Sequence, residues 1–160
     1  MKPSDNKENI KLDKKDALAK AEHYCAYQER SHQEVRDKLY SYGLHSAEVE
    51  EVISKLIEEN FLNEERFAMA YANGKFRMKG WGRLKIKQGL KLKRVSPKLI
   101  EIALRKLNQD DYYNKLKDIL EKKNALLKES DEYKRKQKLI QFALMKGYER
   151  DLILDALTIN

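Results

Sequence analysis

Residues 35–56, VRDKLYSYGLHSAEVEEVISKL, and residues 86–107, IKQGLKLKRVSPKLIEIALRKL, carry one pattern written twice. At an offset of 51 residues, Val35 matches Ile86, Leu39 matches Leu90, Val49 matches Ile100, Ile53 matches Leu104 and Leu56 matches Leu107. Within each copy the apolar residues recur three or four apart, the spacing that gathers side chains on one face of an α-helix. The first helix ends at Gly43, suited to the left-handed position that closes a helix, with Leu44 as the apolar residue behind it. Ser46 is expected to cap the next helix. In the second copy Ser96 does so, with Pro97 at the first helical position.

A further helix precedes each copy. Residues 16–30, DALAKAEHYCAYQER, put Ala17, Ala21, Tyr24 and Cys25 on one face, and Ser31 to Glu34 then forms a capping box. Asn63 caps a helix whose first turn holds Glu64 and Glu65, favourable at the positive end of the helix dipole, with Phe67, Ala70 and Tyr71 on its apolar face. A third copy follows. Asp110 or Asp111 caps a helix with Leu116, Ile119 and Leu120, and a long polar connection, residues 122–133, comes next. A helix through Leu139, Ile140 and Ala143 ends at Gly147-Tyr148, and the last carries Leu152, Ile153, Ala156 and Leu157. The fold class expected is all-α, an elongated tandem array of three three-helix repeats over residues 14–61, 62–108 and 109–160. Residues 1–13, polar and aperiodic, read as a disordered tail. The competing architecture is a compact helical bundle with accidental internal similarity, which the matched spacing disfavours.

The composition narrows the function classes. Only two prolines and six glycines among 160 residues argue against a β-rich or loop-rich fold. No apolar run approaches a membrane span, and the N-terminus lacks the apolar core of a signal peptide. One cysteine, Cys25, forms no internal disulfide, so a cytoplasmic setting is expected. His23, His32 and His45 show no metal-ligand spacing with it, and no phosphate-binding glycine loop or nucleophile–histidine pairing is present. Neither a catalytic residue, a metal nor a cofactor is expected.

The net charge of +8 is concentrated. Residues 63–107 carry 13 Lys+Arg against 3 Asp+Glu, whereas residues 1–62 sum to −3 and residues 108–160 to +1. Residues 75–98, KFRMKGWGRLKIKQGLKLKRVSPK, hold ten basic side chains and no acid. A solvated helix face normally mixes signs, because like charges one turn apart repel. An acid-free run is therefore an electrostatic footprint for a polyanion or an acidic protein surface. Arg83, Lys87, Lys91 and Arg94 form a stripe beside the apolar seam of Ile86 and Leu90. With Lys79, Lys98 and Trp81 they are the candidate contacts. Trp81, between two glycines, is either an exposed anchor or a plug packing its loop. Arg94 stands where the other copies have glycine, so that turn is built differently or the arginine serves contact. Gly89, inside a helix, permits a close approach or is merely tolerated.

These motifs resemble those of the RecX regulatory proteins, bacterial modulators of the RecA recombinase. The likeness runs from about Asp16 to Leu157. ERSHQEVRDKLYSYGL resembles that family's Ser-capped helix with a Gly-apolar turn, and KGWGRLKIKQGL its Gly-x-Gly and basic helix, although Arg94 replaces the usual closing glycine. FLNEERFAMAY resembles its acidic-Arg-Phe-Ala motif, which Arg66, Phe67 and Ala68 match, with Asn63 and Glu64 where aspartates are usual. From the residues alone, Arg66 could equally make an intrahelical ion pair, and Phe67 reads as core. The resemblance implies three tandem three-helix repeats in a cytoplasmic, monomeric, non-enzymatic protein of recombination, DNA repair and the SOS response. It also implies binding in the groove of the RecA filament on single-stranded DNA, mainly inhibiting ATP hydrolysis, strand exchange and assisted repressor cleavage. The alternative is a helical-repeat protein that binds DNA directly through its backbone, without sequence preference.

Overall fold

A computed structural model describes residues 11–158. Among the described residues there are nine α-helices and no strand: α1 Lys14–Tyr27, α2 His32–Ser41, α3 Ser46–Glu58, α4 Glu64–Lys79, α5 Arg83–Leu92, α6 Pro97–Arg105, α7 Gln109–Leu126, α8 Glu132–Met145 and α9 Arg150–Thr158. The all-α expectation holds. No helix among the described residues is long and apolar enough to cross a membrane. The described residues divide into two compact units after Phe67, within α4.

In the first unit, α1, α2 and α3 surround a core of Ala17, Ala21, Cys25, Val35, Leu39, Leu44, Val49, Val52, Ile53, Leu56 and Leu62. Burial pushes the Cys25 thiol up to about 11. Of the expected tail, residues 1–10 lie outside the described residues. Leu12, by contrast, packs against the core and donates its amide to the Tyr42 carbonyl at 2.9 Å. Asp13 caps α1 by accepting from the Asp16 amide at 2.7 Å.

The helix starts follow the sequence with two exceptions. Ser31, Asn63 and Ser96 accept from the amides of Glu34, Arg66 and Leu99 at 3.0, 2.9 and 3.4 Å. The cap of α3, however, is His45 and not Ser46, and the Glu48 carboxylate accepts from the His45 amide at 3.3 Å. The 51-residue offset already contained this correction: Ser46 aligns with Pro97, the first helical position, and His45 with the cap Ser96. Asn108, not Asp110 or Asp111, caps α7, accepting from the Asp111 amide at 2.9 Å, while the two acids occupy the first turn. Helix α7 also runs on to Leu126, leaving only residues 127–131 as the connection expected over 122–133. Arg135 holds that loop, donating to the carbonyls of Asn124 and Leu127 at 2.9 and 3.3 Å. Ala70, expected on an apolar face, is exposed, and Leu104 is only half-buried.

The three helix-closing turns share one geometry. Gly43, Arg94 and Gly147 have φ of 85°, 58° and 96°. The Arg94 amide donates to Lys91 and the Val95 amide to Leu90 at 3.0 and 3.1 Å. The amides of Gly147 and Tyr148 reach Leu144 and Ala143 at the same two distances. The arginine turn is thus not built differently; it holds a side chain in a left-handed conformation, which costs about 1–2 kcal/mol. Arg94→Gly removes that strain and loosens the unfolded chain in partial compensation. The expected net gain is about 0.5–1 kcal/mol, read as a rise of about 2 °C in the thermal midpoint. An unchanged or lowered midpoint would show that Arg94 is not strained.

Candidate functional site

Helix α5 buries Ile86 and Leu90 completely and turns its basic residues outward, as an amphipathic ten-residue helix must. Between α5 and α6 lies an open groove of about 640 Å³, lined by Arg83, Lys87 and Lys91 on one side and by Pro97, Ile100 and Leu104 on the other. The one acid there, Glu101, pairs with Arg105 a helical turn away. Lys79, Lys87, Lys91, Arg94 and Lys98 are exposed, and among the described residues none of their side chains has an ionic or hydrogen-bonding partner.

The helix starts add a second electrostatic feature. Helices α1–α4 and α7–α9 each carry an acid in the first turn, whereas α5 and α6 carry none. Instead, Arg83 and Lys85 stand in the first turn of α5 and Lys98 in that of α6. A cation at the positive end of a helix dipole is unfavourable by a few tenths of a kcal/mol, roughly 0.3–1. Among the described residues, α5 and α6 are therefore the two helices whose first turns hold cations and no acid.

Arg83 stands apart from that set. Its Nη1 donates to Glu149 Oε2 at 2.7 Å, and its guanidinium lies 3.8 Å from the ring centroid of Tyr112. Its amide donates to the Tyr112 hydroxyl at 3.0 Å, and that hydroxyl donates to Glu149 Oε1 at 2.5 Å. Arg83 thus joins the loop before α5 to α7 and to the turn before α9. Beside it the Gly82 amide donates to the Lys146 carbonyl at 2.8 Å and the Leu84 amide to the Gly147 carbonyl at 2.9 Å. Tyr148, fully buried, donates its hydroxyl to the Gly80 carbonyl at 2.9 Å. Burial pushes both Tyr112 and Tyr148 well above the usual tyrosine range, and Glu149 adds to each shift.

Trp81 is half-buried, its ring between Lys75 and Lys85 with the ammonium nitrogens 4.9 and 4.7 Å from the centroid. Trp81 is thus neither an exposed side chain nor a fully buried plug, and its ring is flanked by two cations. Gly89 makes room for Tyr71, whose hydroxyl would lie 2.0 Å from a Cβ at that position. The close approach is by a side chain of α4.

The Arg66-Phe67-Ala68 motif lies elsewhere and has a structural role. Arg66 makes no intrahelical pair; it donates to Glu29 Oε1 at 2.5 Å, to the side chain and carbonyl of Asn60 at 3.1 Å each, and to the Phe61 carbonyl at 3.3 Å. It neutralises carbonyls left open at the end of α3, where Asn60 has φ 65°. Phe67 and Ala68 are buried. Sequence reasoning missed Tyr112, Tyr148 and Glu149 as partners of the basic loop. The one local signal was Tyr148, a hydroxyl-bearing residue at the position held by Leu44 and Val95 in the other copies.

Three family models match the chain in order: the first three-helix domain of RecX over residues 17–56, the second over 63–104 and the third over 109–157. A curated relative, "Regulatory protein RecX" of Clostridium perfringens (strain 13 / Type A), is 38% identical over 124 residues, which are 76% of this chain and 58% of that protein. The relative of the same name in Clostridium botulinum (strain Eklund 17B / Type B) is 33% identical over 162 residues, covering 97% of this chain and 76% of that protein. The chain thus spans well under two thirds of the length of the Clostridium perfringens relative. The crystal structure of RecX from Lactobacillus salivarius superimposes with a TM-score of 0.84 at 27% identity, over 91% of this chain and 95% of that one. With each of its three-helix repeats matched by the corresponding RecX domain, the chain belongs to the RecX family.

Proposed function

We propose that this chain is a non-enzymatic regulator that binds the RecA filament on single-stranded DNA and restrains its ATP hydrolysis, strand exchange and assisted repressor cleavage. The observation that carries the reading is the exposed set Lys79, Lys87, Lys91, Arg94 and Lys98, whose side chains have no ionic partner among the described residues; Lys87, Lys91 and Lys98 lie on helices that start without acids. Such a surface associates fast with an anionic one and in a salt-dependent way, whether that is the acidic wall of a filament groove or DNA phosphate. Repeated modules multiply weak contacts by touching successive protomers of one filament, because each contact raises the effective concentration of the next. Trp81, framed by Lys75 and Lys85, supplies an aromatic contact in this reading.

The test is ATP hydrolysis by preformed recombinase filaments on single-stranded DNA, with this protein added in increasing amounts. Half-inhibition is expected well below one protein per protomer. Lys87→Glu/Lys91→Glu should raise the required concentration about tenfold, equivalent to about 1.4 kcal/mol. Arg83 is left out of the variant because its guanidinium is engaged with Glu149 and Tyr112. Undiminished ATP hydrolysis at concentrations that coat naked strands would overturn the reading in favour of direct, backbone-driven DNA binding. Inhibition indifferent to the double substitution would keep the function and move the surface.

A further inference from the structure

The first unit holds a second cationic cluster, formed against the trend of a region whose net charge is negative. Lys20, His23, Tyr24 and Tyr27, at i, i+3, i+4 and i+7, share one face of α1. With Arg30 and Tyr42 they line an open cleft of about 590 Å³ that no acidic side chain lines, a size typical of small-ligand clefts. Tyr27 is 79% exposed. Arg30 is folded back, its Nε donating to the Tyr24 carbonyl at 3.0 Å and its guanidinium 3.6 Å from the Tyr24 ring centroid and 6.0 Å from that of Tyr27. Lys38 lies 5.4 and 5.9 Å from the rings of Tyr24 and Tyr42, and Lys20 lies 5.8 Å from Tyr42. Several acids of this unit are engaged elsewhere: Glu29 with Arg66, Glu48 with Lys11, Glu50 with Arg36 and Glu51 with Lys14.

We propose that this cleft is a binding site for single-stranded nucleic acid, in which an unpaired base stacks on Tyr27 and the Arg30 guanidinium while Lys20 and Lys38 meet the flanking phosphates. Every base has a face that an aromatic ring or a flat guanidinium accepts, so such a site is sequence-tolerant. Arg30 is already held flat by Tyr24, so little side-chain freedom remains to be lost on binding. A duplex stacks its bases on one another and offers none to the cleft; the site therefore selects unpaired strands. An acidic peptide fits less well, because the Arg30 Nε donor is spent on a carbonyl and the most exposed surface is an aromatic face. The site needs no recombinase and uses residues outside the basic middle repeat, so it stands or falls separately from the regulator reading.

The experiment measures binding of the full chain, without recombinase, to a thymidine strand of about 16 nucleotides, an abasic strand of equal length and a duplex. Expected is a preference for the base-bearing single strand, a loss of about tenfold for that strand in Tyr27→Ala, no change for the abasic strand, and retained affinity in Tyr27→Phe. Strands carrying 5-iodouracil should photocrosslink to α1. Because Tyr27 is exposed, the variants keep their fold, which an unchanged thermal melt verifies. Equal binding of base-bearing and abasic strands, or an unaffected Tyr27→Ala, overturns the proposal. So does a Tyr27→Ala variant that keeps its DNA affinity and loses only its binding of a glutamate-rich peptide.

Discussion

Gly82→Ala is expected to destabilise the second unit by about 3 kcal/mol or more. A Cβ on Gly82 would lie 2.4 Å from both the carbonyl carbon and the oxygen of Gly147, and 2.5 Å from the Tyr148 nitrogen. These are backbone atoms on both sides, so no rotamer change relieves the clash. Nor can the segments part freely, since the Gly82 and Leu84 amides are bonded to the carbonyls of Lys146 and Gly147. Gly74→Ala is the control. Nothing lies within 4 Å of a Cβ there, and a mid-helix glycine with open space around it gains about 1 kcal/mol when replaced by alanine. Denaturant unfolding of the full chain followed by circular dichroism should move the two variants in opposite directions. A Gly82→Ala protein as stable as the parent would mean that these backbones are not in contact in solution.

The second large effect is expected at Tyr112, which is 1% exposed. Its ring packs against Phe76 and Tyr148, with centroids 5.8 and 5.1 Å away, and beneath the Arg83 guanidinium. Tyr112→Ala removes this packing at a cost of about 3–5 kcal/mol. Tyr112→Phe keeps the ring and strips Glu149 and the Arg83 amide of their shared hydroxyl, for about 1–2 kcal/mol. The ratio of the two losses therefore separates packing from hydrogen bonding. The hydroxyl also predicts a pH dependence. Burial first, and the bond to Glu149 second, raise its pKa above the ordinary 10.0. The folded state thus keeps a proton that the unfolded chain loses above about pH 10, so this contribution is present below that pH and declines as pH rises beyond it. Part of the alkaline loss of stability should vanish in Tyr112→Phe, the remainder belonging to groups such as Tyr148. An alkaline profile identical in parent and variant would remove Tyr112 as a cause.

The repeat was readable before any coordinates because helix periodicity and helix ends are local. Leu39, Leu90 and their 51-residue partners recur at the spacing one buried face demands, and Ser31, Asn63 and Ser96 sit where an orphan amide needs an oxygen. Where the observed cap differs from the expected one, the competing residue lies within three positions: His45 beside Ser46, and Asn108 just before Asp110 and Asp111. Within one copy, spacing does not rank two nearby candidates whose choice depends on the backbone angle at which the chain enters the helix; for His45 only the 51-residue offset to Ser96 does.

Candidate site residues were less legible. Charge counting found an acid-free segment and with it Lys87, Lys91, Arg94 and Lys98, since exposed cations need only a helix face to point outward. It could not see that Arg83, on the same stripe, turns to Glu149, 66 residues away, because no periodicity links them. The same holds for Arg66, whose partner Glu29 is 37 residues away, and for the tyrosine–arginine cleft that joins α1 to the end of α2. The sequence by itself therefore determined the helices, their threefold repetition and the sign of the central surface, all consequences of local periodicity and composition. Only the tertiary structure decided which cations are spent inside the protein and which remain free. That outcome depends on long-range packing, which brings Gly82 against Gly147 and leaves Arg83 against Glu149 and Tyr112.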